Sequence, residues 1–377
     1  MEMKCVDTLY SLYEFDNENH YHLQRGVVRM QKMIKKQTTE GKGYTAHKSR
    51  LLMVWMLALV LVLTACGAGA GTNANKGTQQ PEADPSKSNS TTQTASAFPV
   101  TIKHMKGEYT LTEKPKVIAV LDVKFVDQLV ALGEQPAGSV IAGVKDATFP
   151  EYLNDKLVDV KVLGTRDEPN LEALVALNPD LIIMTDFQEK IYDSVSKIAD
   201  TIVLDFYEDW RDTAVTMGKI TGKTTEAEAL VKNYEDKIVG LRSKLSAELG
   251  EETVALIRPR KEGIRVHGPD HRTGGILYKD LGLKAPKFVT EIKEDTSVEV
   301  TMEKVPDIGA DRYFLLSDEM FATETEQLTS SPIWQSMDAV KNKRVYNVDT
   351  TLWIAYYGPI AVNMIVDQAA EALLGSN

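Results

Sequence analysis

Asn170-Leu171-Glu172-Ala173-Leu174-Val175-Ala176-Leu177-Asn178-Pro179-Asp180-Leu181-Ile182-Ile183-Met184 is the stretch on which the fold turns. Asn170 is a helix-capping residue type ahead of a run of helix formers. Asn178-Pro179-Asp180 breaks the run, and Leu181–Met184 then reads as a buried strand. A helix that feeds an apolar strand through a short break is the building unit of a parallel α/β sheet. Outward from it the alternation continues. Val117–Leu121 is a buried strand, followed by an amphipathic helix carrying Phe125, Val126, Leu129 and Leu132 that Gly133 ends. Ala137–Ala142 and Thr201–Asp205 are further strands. Ahead of them Val100–His104 and Tyr109–Leu111 flank Lys106-Gly107, a hairpin signal.

Thr224–Leu249 reads as one helix, with Leu230, Tyr234, Leu241, Leu245 and Leu249 at helical spacing and Gly250 at its end. At ~1.5 Å per residue it is about 39 Å long, the reach of a strut between two lobes. The alternation then restarts. Thr253–Ile257, Ile264–His267, Arg312–Leu316 and Arg344–Val348 are strands, and Gly274–Leu281 and Pro359–Leu374 are helices. Thr301 before Met302-Glu303-Lys304-Val305 is a capped helix start leading to the strand at 312, so the second half repeats the pattern of the first. The expectation is two topologically similar α/β lobes, at 98–222 and 251–377, joined by a helix at 223–250.

The chain has 377 residues, 43 Lys and Arg against 54 Asp and Glu, and a net charge of −11. That balance argues against a nucleic-acid partner. Leu63-Thr64-Ala65-Cys66-Gly67 closes an apolar run that begins at Leu51, behind Lys48 and Arg50, and looks like a bacterial lipobox. Leu51–Ala65 is shorter than the ~20 residues that span a bilayer as a helix. The competing reading is an ordinary transmembrane anchor. The expectation is a signal region at 1–65, cleavage before Cys66, lipid on its sulfur, and a membrane-tethered, extracytoplasmic mature protein. Met1–Arg29 is unusually acidic and aromatic for a signal. It is read as an over-extended start, with initiation at Met30 or Met33, or as a genuine cytoplasmic extension. Residues 66–97 are rich in Gly, Ser, Thr, Asn, Gln and Pro, the composition of a flexible linker. Cys5 and Cys66 are the two cysteines, so after processing no thiol remains for a disulfide, a nucleophile or a metal site.

The order of these pieces resembles the substrate-binding lipoproteins of ABC importers for ferric siderophores, haem and cobalamin. The resemblance covers 98–377 and is carried by Leu163-Gly164-Thr165, Pro169–Ala173, Asn178–Ile183, Ser331-Pro332-Ile333-Trp334, Ala339–Tyr346 and Gly358-Pro359. It implies two Rossmann-like lobes joined by one long rigid α-helix, with the ligand in the cleft between them. It further implies permease subunits with a separate ATPase as partners, a monomer, and no cofactor beyond the ligand. Glu172 and Glu303 each stand second in a capped helix, where the helix dipole favours a carboxylate. By resemblance they match the acidic knobs, one per lobe, that dock on the permease.

Basic residues gather at Arg258-Pro259-Arg260-Lys261, Arg265, His267 and His271-Arg272. Arg258 and Arg260 share a strand face at period two. Arg166 follows a first-lobe strand, and Trp210-Arg211 begins a helix after another. Guanidinium forks suit carboxylates and metal-bound oxygens, so this set is expected to hold an anionic ferric siderophore, with a carboxylate- or citrate-bearing one favoured. A solvated charged hairpin is the competing reading. Trp353 and Tyr356, in a loop with Tyr357, are the expected aromatic wall, with Trp210 opposite; core packing is the alternative, and Trp334 reads as structural. His267 and His271 have helical ligand spacing, but Gly268-Pro269 breaks any helix between them, so no metal site is expected. No nucleophile elbow, P-loop or dinucleotide fingerprint occurs, so no enzyme is expected. Cobalamin or haem as ligand, and a non-transport ligand sensor, remain the alternatives.

Overall fold

The computed structural model describes residues 97–143, 148–293 and 295–375, which lie in one compact unit, Gln93–Asn377. The signal region, the lipidation at Cys66 and the linker up to residue 96 lie outside the described residues. The chain opens with β1 (Val100–His104) and β2 (Gly107–Leu111), the expected antiparallel hairpin, with His104 opposite Gly107. Then follow β3 (Ile118–Val120), α1 (Lys124–Ala131), β4 (Gly138–Ile141), β5 (Lys161–Thr165), α2 (Leu171–Leu177), β6 (Leu181–Thr185), β7 (Thr201–Leu204) and α3 (Trp210–Thr221). The linking helix α4 (Thr224–Leu249) leads to β8 (Val254–Arg260), β9 (Gly263–His267), β10 (Ser297–Val300), β11 (Arg312–Ser317), β12 (Val345–Asp349) and α5 (Pro359–Leu374).

The first sheet has the order β5-β4-β3-β6-β7 and is parallel throughout. Strands β3, β6 and β7 are buried on both faces and read as largely apolar runs for that reason, whereas the edge strand β5 is partly exposed. The deciding stretch folds as written. Asn170 Oδ1 accepts from the Ala173 N–H at 3.0 Å, and Asn178 ends the helix in the left-handed region at φ 51°. The second sheet has the equivalent order, β10-β9-β8-β11-β12, but β9 and β10 run antiparallel to their neighbours.

Between the sheets α4 buries Ala227, Tyr234, Ile238, Leu245 and Leu249, a stripe spaced seven and four residues apart. Leu230 and Leu241, expected in that stripe, are half-buried at its edge, and Ala227 and Ile238 fill it instead. The stripe packs with Ile365, Val366, Ala369 and Leu373 of α5 into the core that also fills the first lobe. The strut is therefore held along its length. A second core of Ile257, Val266, Tyr313, Leu315 and Trp334 fills the other face of the second sheet, which gives Trp334 its structural role.

Two local expectations are corrected. The segment after Thr301 is a 3-10 helix, Met302–Ile308, and the Thr301 side chain caps none of its N–H groups. Pro306 inside it prevents a regular α-helix. Thr351–Ala355, expected as loop, is a π-helical turn.

Candidate functional site

In a parallel sheet, ligand groups gather in the crevice beyond the carboxyl ends of the strands. In the first lobe those ends deliver Asp122 and Lys124 after β3, Arg166 after β5, Phe187 after β6 and Phe206 after β7. A buried polar lattice holds these loops together. Gln188 Nε2 donates to the Leu121 carbonyl at 2.7 Å and to the Arg166 carbonyl at 3.2 Å, and Gln188 Oε1 accepts from the Thr185 hydroxyl at 3.1 Å. Asp122 accepts the Lys124 backbone N–H at 3.1 Å. The Lys124 ammonium donates to the carbonyls of Asp205 at 3.1 Å and Phe206 at 3.2 Å. Burial pushes the Lys124 ammonium down to about 8, with Asp122 opposing the shift.

The two lobes meet on Phe206. The guanidinium carbon of Arg166, from the first lobe, lies 5.6 Å from its ring centre and 4.8 Å from that of Phe187. The guanidinium carbon of Arg272, from the second lobe, lies 4.6 Å from Phe206 and 3.9 Å from Tyr357. Among the described residues neither arginine has an ion-pair partner, and Arg166 Nε is buried with no hydrogen-bond acceptor. Burial lowers the affinity of Arg272 for its proton, and Arg166 adds to that, while Tyr357 and Asp122 oppose it. Two partly desolvated cations stacked on one aromatic ring are a site that an anion would complete. Lys124, Tyr207, Trp210, Arg211, His271 and Arg272 line the cavity beside them, so it opens between the lobes.

The hairpin arginines are arranged differently. Arg258 of β8 stands directly opposite Arg265 of β9, a like-charge pair that a sheet accommodates only with counter-ions. Arg258 pairs with Asp318 at 2.9 Å, Arg265 pairs with Glu299 at 2.9 Å, and buried Arg260 lies 4.0 Å from Glu299. Arg258 and Arg260 also lie over the Phe321 ring, at 5.1 and 5.5 Å. They share a side of the strand as expected, but their charge is already answered. His267 and His271 stack at 4.2 Å between ring centres. Both His267 nitrogens and His271 Nδ1 are buried without partners. Burial and the neighbouring arginines hold both rings neutral, His271 down to about 3. Among the described residues no three metal-ligating side chains converge.

The aromatic wall is redrawn. Trp353 is fully buried, packs on Phe314 at 4.9 Å and donates its indole N–H to Gln368 at 2.7 Å, so it belongs to the core. Trp210 does not face it. Its ring meets Tyr234 of the linking helix edge-on at 4.9 Å, with Arg211 5.0 Å away. Arg211 itself bridges the lobes through Asp280 at 2.8 Å. Tyr356 is buried and meets Tyr152 edge-on. The aromatic faces at the cleft are Phe187, Phe206, Tyr207 and Tyr357, and Trp210 lines the cavity beside them.

The model of a family described as periplasmic binding protein matches residues 118–352. The chain belongs to that family. Among curated relatives, the probable siderophore-binding lipoprotein YfiY of Bacillus subtilis is 30% identical over 289 residues, covering 73% of this chain and 88% of the relative. The Fe(3+)-citrate-binding protein YfmC of the same organism is 30% identical over 259 residues, covering 67% and 79%. Among solved structures, that of Staphylococcus aureus SirA complexed with staphyloferrin B matches with a TM-score of 0.65 and 32% identity, over 73% of this chain and 98% of that one.

In this periplasmic binding protein Glu172 and Glu303 are both exposed, one on each lobe. The Glu303 carboxyl is held below its usual range by its own backbone N–H and the Thr301 hydroxyl. Sequence reading missed Lys124, Phe187 and Phe206. The available signal was position: each follows a buried parallel strand, where a periplasmic binding protein presents its cleft.

Proposed function

We propose that this chain binds a ferric siderophore in the cleft between its lobes and delivers it to the permease of an ABC importer powered by a separate ATPase. It acts as a monomer, lipid-anchored through Cys66 on the extracytoplasmic face, and performs no chemistry on its ligand. Iron is the cargo and the siderophore supplies its ligands. The observation that carries the reading is the pair Arg166 and Arg272, one from each lobe, stacked on Phe206 with no counter-ion among the described residues. A ferric complex with peripheral carboxylates answers both charges and the aromatic face, and a neutral trihydroxamate answers only the aromatic face. Family membership and relatives named for siderophore and ferric citrate binding support the same class. Glu172 and Glu303 are the docking carboxylates.

The test is a tryptophan-fluorescence titration, with Trp210 in the cavity wall as reporter. The panel contains ferric staphyloferrin B, ferric citrate, a ferric trihydroxamate, a ferric catecholate, haem and cobalamin. Saturable sub-micromolar quenching by a carboxylate-bearing ferric complex is expected. The double variant Glu172→Ala with Glu303→Ala should titrate identically and lose iron uptake. Binding of haem or cobalamin alone, or of nothing, would overturn the ligand assignment; normal uptake by the double variant would overturn the docking role.

A further inference from the structure

The last helix of this protein is capped from the other lobe. The first N–H groups of a helix have no partner within it. In α5 Pro359 has no N–H, and the Val362 N–H already reaches the Gly358 carbonyl at 3.0 Å. Ile360 and Ala361 are left, and the N-cap position is Gly358, which has no side chain to serve them. Asp127 of α1 supplies it instead. Its two carboxylate oxygens accept the Ile360 and Ala361 N–H groups at 2.8 Å each, and its Oδ2 also accepts the Tyr152 hydroxyl at 2.9 Å. The carboxylate is completely buried. A negative charge at the N-terminus of a helix of 16 residues is also favoured by the helix dipole. The approach depends on glycine: a Cβ at position 358 would lie 2.1 Å from Asp127 Oδ1.

This contact sits one turn from the cleft on both sides. Asp127 lies on the helix that Lys124 opens, and Ile360 follows the segment whose Tyr357 carries Arg272. Tyr152, the third donor, packs edge-on against Tyr356 at 6.2 Å. We infer that Asp127, with Gly358, is a positioning residue that locks the second lobe's cleft wall to the first and so sets the spacing between Arg166 and Arg272. The inference rests on the reading of that cleft as the ligand site.

Two roles must be separated, a helix cap and an interlobe lock. Asp127→Asn, which keeps one acceptor for the two N–H groups, weakens both roles, and Gly358→Ala, whose Cβ meets the carboxylate, displaces both. The double variant Asp127→Asn with Gly358→Ser gives α5 a cap of its own and leaves the lobes untied. In the full-length chain, amide exchange at Ile360 and Ala361 is measured without ligand, and affinity is measured for ferric staphyloferrin B and ferric citrate. Both single variants should exchange faster at the two amides and bind the ferric probe about tenfold more weakly, as when a tenth of the molecules hold the competent spacing. The double variant should regain protection and not affinity. Recovery of both would reduce Asp127 to a cap and overturn the proposal, as would unchanged exchange in the single variants. The spacing itself is read without ligand, from spin labels at Val175→Cys and Lys341→Cys in a chain carrying Cys5→Ser and Cys66→Ser. A distance distribution that broadens in all three variants is expected, and an unchanged one would overturn the lock. Failure of the unvaried chain to bind any ferric probe would strike the ligand reading alone, and the exchange and distance results would still decide the lock.

Discussion

The two lobes share a strand order and differ in strand direction, and that difference decides which arginines are free. In the second lobe β8 and β9 form an antiparallel hairpin that sets Arg258 against Arg265. Cations in register repel, and the fold answers them with Asp318 and Glu299. In the all-parallel main sheet of the first lobe Arg166 leaves the end of β5 with no cation in register, and it stacks on Phe187 and Phe206. Arg272 is the second-lobe exception, because it lies beyond the hairpin at a helix start. A cluster of charge along the sequence is therefore a poor guide to charge on offer. The hairpin holds more arginines, and the loops hold the ones without counter-ions among the described residues.

The sharpest way to break this comparison is to remove each group in turn. Arg166→Ala with Arg272→Ala should lower affinity for the ferric complex at least a hundredfold, since each charge-assisted contact is worth roughly 1.5–3 kcal/mol. Arg258→Ala with Arg265→Ala should cost much less affinity and more stability, because it leaves half-buried Asp318 without its ion-pair partner and takes one of two arginines from the more exposed Glu299. The paired titrations and urea curves read both effects. A larger affinity loss from the hairpin pair would reverse the assignment.

A smaller effect separates the lobes by titration. Burial brings the Lys124 ammonium of the first lobe down to about 8. It is charged below that value and neutral above, so affinity for an anionic ligand should fall as pH rises through 8, by about tenfold for coupling worth one pKa unit. Of its neighbours at the cavity, Tyr357 is pushed up and His271 down to about 3, so neither changes charge in that window. Asp122, Asp186, Asp205 and Glu208 are carboxylates facing it, with Arg272 the opposing cation. The Lys124→Met variant should show flat affinity from pH 7 to 9. A wild-type profile that is flat over that range would remove Lys124 from the ligand's field.

What could be read from the sequence follows from how local each signal is. Thr224–Leu249 and Pro359–Leu374 have the predicted limits, because periodicity, a terminal glycine and a Pro at the first turn are all local. The β8–β9 hairpin was legible for the same reason. Trp353 was not, since an aromatic residue near Gly358-Pro359 reads alike whether it faces a cleft or Phe314. Phe206 and Lys124 are single residues after strands, and nothing in their neighbours marks the second-lobe arginine that reaches the Phe206 ring. Asp127 and Gly358 lie far apart along the chain, and only the packing of α1 on α5 joins them. Pairings across lobes are invisible to periodicity, and this site is made of them.

The finest test returns to the repeated motif on which the fold reading rests. Asn170 and Thr301 hold the same place in the two halves, and the sequence presents both as caps. In the structure only Asn170 accepts a helix N–H, from Ala173 at 3.0 Å. Thr301 turns its hydroxyl to the Glu303 carboxyl at the head of a 3-10 segment interrupted by Pro306. Asn170→Ala should therefore lower unfolding stability by ~1 kcal/mol, the usual worth of a cap. Thr301→Ala should cost no more than ~0.5 kcal/mol, the range of a surface change that breaks no cap. Its clearer consequence should be a rise of the Glu303 carboxyl toward the ordinary glutamate range, read by NMR titration. Urea midpoints at unchanged slope measure the two stabilities. Equal losses would mean that Thr301 caps its helix after all, and that the two carboxylates proposed for docking, Glu172 and Glu303, stand on equivalent supports; unequal losses would mean that one motif, written twice, was folded into a cap in the first lobe and a carboxylate anchor in the second.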